Sequence, residues 1–67
     1  MVLGHVEAFD DRRGDGLLRS DEGARFYFHC VAIADGSRQI DPGTRVRARR
    51  HTGLLGHDDV VAVEKLT

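Results

Sequence analysis

The chain has 67 residues, 40% of them apolar and 31% charged. That length excludes a two-domain enzyme with a cleft between its halves, and the apolar fraction is too high for a disordered tail. Ten basic against eleven acidic side chains give a net charge of −1. The charge excludes the overall basic excess of a dedicated nucleic-acid binder, so any such binding has to come from local geometry.

Short apolar runs separated by Gly/Asp/Ser clusters every 8–12 residues or so predict a small all-β domain. A first strand is expected over Val2–Phe9, ending in the turn Asp10-Asp11-Arg12-Arg13. A second covers Asp15–Arg19 and closes on Ser20-Asp21-Glu22-Gly23, whose residue types favour a tight turn. A third runs over Arg25–Cys30, followed by a short turn at Val31–Ile33 and a polar connection, Ala34–Gln39. After the turn Asp41-Pro42-Gly43, a fourth strand is expected at Thr44–His51 and a fifth at Asp59–Leu66, joined by the loop Gly53-Leu54-Leu55-Gly56.

Strand side chains alternate between two faces. Phe26, Phe28 and Cys30 then share one face of the third strand, and Tyr27 and His29 share the other. In the fourth, Val46 and Ala48 oppose Arg45, Arg47 and Arg49; in the fifth, Val61 and Val63 oppose Val60, Ala62 and Glu64. The expected core is Val6, Leu18, Phe26, Phe28, Ile33, Ile40, Val46, Val61 and Val63. Five short strands around such a core predict a five-stranded antiparallel OB-type barrel, in which closure hides the strand edges.

Taken in order, the residues resemble the bacterial cold-shock domain nearly end to end. Gly4-His5-Val6-Glu7-Ala8-Phe9 stands where that family has Gly-x-Val-x-Trp-Phe. Arg13-Gly14-Asp15-Gly16-Leu17-Leu18 stands on its first ribonucleoprotein motif, and Phe26-Tyr27-Phe28-His29-Cys30 on its second. Ala32-Ile33, Gly43, Val46 and the Val63-x-x-Leu66 ending also fall in register. The resemblance implies one domain over residues 1–67, an OB barrel whose first three strands offer aromatic rings to single-stranded RNA or DNA.

The aromatic positions are eroded. Ala8 stands for the family's tryptophan, Asp15 and Leu17 for two phenylalanines, Cys30 for a third, and Arg38 for an aromatic of the long connection. At roughly 1–3 kcal/mol per stacked base, such losses weaken binding by at least about 10²–10³-fold. Asp15 adds a carboxylate in the middle of the expected platform, where it repels phosphates. The expected nucleic-acid-binding residues are Tyr27 and His29 as stacking rings, Leu17 beside them, Phe9 packing at the rim, and Arg12, Arg13 and Arg38 as phosphate contacts. The expected function is weak, low-specificity binding of single-stranded RNA or DNA. The alternative is a protein-interaction or oligomerising module, for which the missing rings, Asp15 and the loop leucines Leu54 and Leu55 speak.

No nucleophile–base pair stands out, so no catalytic residues and no enzyme are expected. His51, His57, Asp58 and Asp59 flank one loop but match no zinc spacing, and neither a metal nor another cofactor is expected. The single cysteine excludes an internal disulfide; alternation places Cys30 on the inner face. No apolar run approaches the ~18 residues of a membrane span, and no secretory leader is visible, so a cytoplasmic location without a membrane partner is expected.

Overall fold

The computed structural model describes residues 1–52 and 58–66. Among these, five strands form a closed barrel in the order β1-β2-β3-β5-β4, with β4 returning to β1. The strands are β1 (Val2–Asp10), β2 (Asp15–Ser20), β3 (Arg25–His29), β4 (Arg45–Thr52) and β5 (Asp58–Lys65). A 3₁₀ turn, Cys30–Ala32, follows β3. The loop Gly53-Leu54-Leu55-Gly56 and His57 lie outside the described residues.

The predicted meander of β1, β2 and β3 pairs antiparallel, and so do β1 with β4 and β4 with β5. One edge departs from the purely antiparallel expectation. The closing pair β3/β5 is parallel and meets at Tyr27 and Asp59, which makes the barrel one of mixed orientation. The physical reason is the long connection after β3. It crosses the barrel before β4 begins, and β5 then runs back alongside β3 in the same direction.

The interior is filled by Val6, Leu18, Phe26, Phe28, Ile33, Ile40, Val46, Ala48, Val60 and Val63, all buried. Eight of the nine expected core residues are among them. Val61 is not; Val60 is buried in its place. The cause is a β-bulge. Arg49 pairs with Val61 and Arg47 with Glu64, so Ala48 faces two residues of β5, Ala62 and Val63. Ala62 adopts a left-handed backbone (φ 52°), and the period of two breaks there.

A second register shift lies in β1 between Val6 and Ala8. Strict alternation from Val6 points Phe9 outward. The bulge reverses this, and Phe9 packs against the core with its ring stacked on Phe28, centroids 6.0 Å apart at 14°. Gly16 sits between the two rings. A Cβ there would come within 2.8 Å of Phe28 Cζ and 2.6 Å of the Ala8 carbonyl oxygen, so only glycine permits the approach. Cys30, expected on the inner face of the third strand, is half-buried instead, because β3 ends at His29 and the chain turns into the 3₁₀ segment.

Candidate nucleic-acid interface

The two bulges fix what the outer face of β1–β3 presents. Ala8 pairs with Leu17, and Leu17 with Tyr27, so these three form one row across the sheet. Leu17 (37%) and Tyr27 (42%) are exposed. The next row holds Asp10, Asp15 and His29 by the same pairing. The result is a shallow platform with one large ring at its centre, an imidazole beside it and a leucine flank.

His29 is fixed in place by its neighbour. Its Nδ1 accepts a hydrogen bond from the Val31 N–H at 3.3 Å and so caps the 3₁₀ turn. The Cys30 sulfur lies 3.7 Å from the same nitrogen.

Asp15 is the residue whose behaviour differs most from expectation. It is not a bare charge. Arg13 donates from Nε and Nη2 to its Oδ1 at 3.0 and 2.9 Å, and the Tyr27 hydroxyl donates to its Oδ2 at 2.9 Å. The Asp15 side chain is only 13% exposed, against 71% for Arg13. The bond from Arg13, then that from Tyr27, holds the Asp15 carboxyl below the usual carboxylate range. In turn, the bond to Asp15 and partial desolvation push the Tyr27 phenol above its ordinary value. The carboxylate thus takes up donors of both Arg13 and the Tyr27 hydroxyl.

The remaining expected residues sit on loops or inside. Arg12 lies exposed in the β1–β2 turn, where the Asp10 carboxylate accepts from the backbone N–H groups of Arg12 and Arg13. Arg38 is exposed in the connection 34–39 with a left-handed backbone (φ 58°). The two loops approach each other where Asp11 and Gln39 line one shallow pocket with Phe9 and Pro42. Phe9 supports the platform from beneath, through Phe28, and its ring does not join the outer row.

Two of the β4 arginines are ion-paired. Arg45 bonds Asp21, and Arg47 bonds Glu64 at 2.7 Å. Arg19 and Arg25 likewise share Glu7. No cluster of three or more metal-ligating side chains occurs among the described residues. His57 and the Asp58 side chain, two of the four candidates there, lie outside them. Asp59, weighed in the sequence only as a metal ligand, is brought beside Tyr27 by the non-local parallel pairing.

No family model matches the sequence, and no curated protein matches it. Among solved structures, the cold-shock-domain segment CSD456 of Drosophila Unr is similar, with a TM-score of 0.82 and 25% identity over 98% of this chain. The chain spans about a quarter of that structure's length, 26%. With five strands closed at these pairings and an outward ring on β3, the chain has a cold-shock-like fold.

Proposed function

We propose that the chain is a non-catalytic, single-stranded nucleic-acid-binding domain that takes RNA or DNA weakly and with little sequence preference. The observation that carries this reading is the exposed row Ala8–Leu17–Tyr27, with His29 beside it, on the outer face of β1–β3 of a cold-shock-like barrel. Cold-shock domains are among the common modules that stack unpaired bases. Tyr27 and His29 stack bases, Leu17 gives an apolar shoulder, and Phe9 holds the platform from below. Arg12 and Arg38 carry no ion pair among the described residues and flank the platform at one end, where they meet phosphates. Arg13 joins them when it leaves Asp15. The weakness follows from one ring and one imidazole doing the stacking at roughly 1–3 kcal/mol per base.

The test is an amide-resolved NMR titration with a short oligo-dT or oligo-U strand at low salt. Shifts gathered on Leu17, Tyr27, His29, Arg13 and Arg38 that fade with added salt are expected. Flat spectra at millimolar oligonucleotide would refute the reading.

A further inference from the structure

The mixed orientation of the barrel has a consequence beside the platform. β3 and β5 meet as strands at one pair, Tyr27 and Asp59. The next contact is the isolated bridge of Ile33 with Val63, supported by the Ala34 N–H donating to the Val63 carbonyl at 2.8 Å. Between these points the 3₁₀ turn carries one side away, and the bulge at Ala62 carries the other. An open groove of about 640 Å³ remains, lined by Tyr27, His29, Val31, Ala34, Asp59 and Ala62 among others. This is within the size range of sites that hold small organic ligands.

Three features of the groove bear on its occupant. First, Tyr27 and His29 wall both the groove and the platform, so a strand lying on one reaches the other without crossing a further element. Second, the lining is mostly apolar, and Val31 is 65% exposed there, a surface that a flat ring covers well. Third, the groove's charged group is a carboxylate, Asp59. A carboxylate repels phosphate and accepts hydrogen bonds but cannot donate them. The backbone of a strand is therefore turned away, and a base is turned in.

We propose that this groove receives one nucleobase of the strand that stacks on Tyr27, and that Asp59 selects a base with an exocyclic amino group over thymine or uracil. This rests on the nucleic-acid reading above. The amino group of cytosine or adenine donates toward Asp59, whereas thymine and uracil put a carbonyl oxygen at the corresponding edge. Two acceptors then face each other, and the contact is lost. The platform itself reads little sequence, since every base has a stacking face. Base choice in this chain lies in the groove.

The experiment compares dC and dT hexamers by fluorescence anisotropy at low salt, with an amide-resolved NMR titration of each. The dC strand is expected to bind about tenfold tighter, the scale of one hydrogen bond to a charged group, and to shift the amides of Val31, Ala34, Val60 and Val61 as well as those of Tyr27 and His29. Asp59→Asn, which keeps shape and removes the acceptor charge, is expected to bring the two strands within about twofold. Val31→Asp, at an exposed position, is expected to lower dC binding to the dT level while leaving Leu17 and Tyr27 responsive. Equal binding of both strands, or platform shifts with silent groove amides, would overturn the inference and leave the platform reading standing. No binding of either strand would overturn both.

Discussion

Asp15 sits where it competes with a ligand, so its removal is the most informative change in the molecule. Asp15→Asn keeps the shape of the side chain and removes its charge. Arg13, now held at 2.9 and 3.0 Å, is released to meet a phosphate. On single strands each phosphate contact contributes about 0.7 to the slope of log affinity against log salt, so one added contact is worth about fivefold for each tenfold dilution of salt. A carboxylate about 7 Å from a phosphate in water weakens binding by a further factor of about 3. The variant should bind an oligo-dT strand about tenfold tighter at 50 mM salt, with a slope steeper by about 0.7. Fluorescence anisotropy over a salt series reads both. The same variant carries an internal control. The Tyr27 phenol lies above its ordinary value chiefly because its hydroxyl bonds Asp15. Its titration, followed by ultraviolet absorbance, should fall back toward the ordinary value of about 10 in Asp15→Asn. If the phenol moves as expected while affinity and salt slope stay at wild-type values, the carboxylate is not a competitor and the argument is wrong.

Tyr27→Ala should weaken binding about tenfold, the scale of one stacked base, whereas Tyr27→Phe keeps the ring, frees Asp15 of its hydroxyl partner and should stay within about threefold of wild type; equal losses in both would point away from stacking. Gly16→Ala drives a methyl into Phe28 and the Ala8 carbonyl and should cost about 1–3 kcal/mol in urea unfolding, with a Tm lower by roughly 4–8 °C for each kcal/mol. The pH profile of stability should have a plateau with two shoulders. Asp15, Asp21 and Asp35 are all held low by their basic or hydroxyl partners, so their contribution is complete above about pH 5, beyond the ordinary carboxyl value of about 3.9, and is lost as pH falls through their lowered values. Tyr27 is raised, so its contribution is complete below about pH 10 and is lost as pH climbs through its raised value. Urea midpoints across pH check both shoulders; a flat acid limb would refute the pairing of the three aspartates.

What the sequence made legible is the part governed by local alternation and turn chemistry. Phe26 and Phe28 point in while Tyr27 and His29 point out, and Ile33 and Ile40 fill the barrel from irregular segments, as their patterns predict. The departures from strict alternation at Phe9 and at Val60 and Val61 share one cause. Each bulge inserts a residue and reverses the faces beyond it, and neither carries a glycine to betray it. That reversal brings Phe9 inward after β1 shifts register, and it buries Val60 rather than Val61 ahead of Ala62. The site's chemistry was less legible because it is built across strands. Asp15 meets Tyr27 from a neighbouring strand, 12 positions away, and Asp59 reaches it from β5. Nothing in the residue types says that the acid replacing a family phenylalanine will find both a guanidinium and a phenol within 3.0 Å.

The near-zero charge of the chain is a sum over pairs, and the pairs are not spread evenly. Asp21 takes Arg45, Glu64 takes Arg47 and Asp35 takes Lys65, while Glu7 takes Arg19 and Arg25, the pair in the row next to Leu17 and Tyr27. In each of these groups the acid offsets the charge of its basic partners. At the platform the balance is different. Arg12 and Arg38 stand exposed on the two loops at its end, and one arginine, Arg13, is committed to one acid, Asp15. A net charge of −1 therefore does not argue against binding, because a short screening length in salt makes a strand sense the nearest charges and not the total. The same local balance is the reason the proposed function is weak binding. The acid at position 15 replaces a stacking surface and, in addition, satisfies the cation and the hydroxyl nearest to it. The resting platform thus has Arg13 and Asp15 paired at its centre, with Arg12 set among Asp10 and Asp11 in the turn at its end. Affinity in this fold is then set by how readily Arg13 exchanges a carboxylate for a phosphate, a quantity that responds to salt more steeply than stacking does.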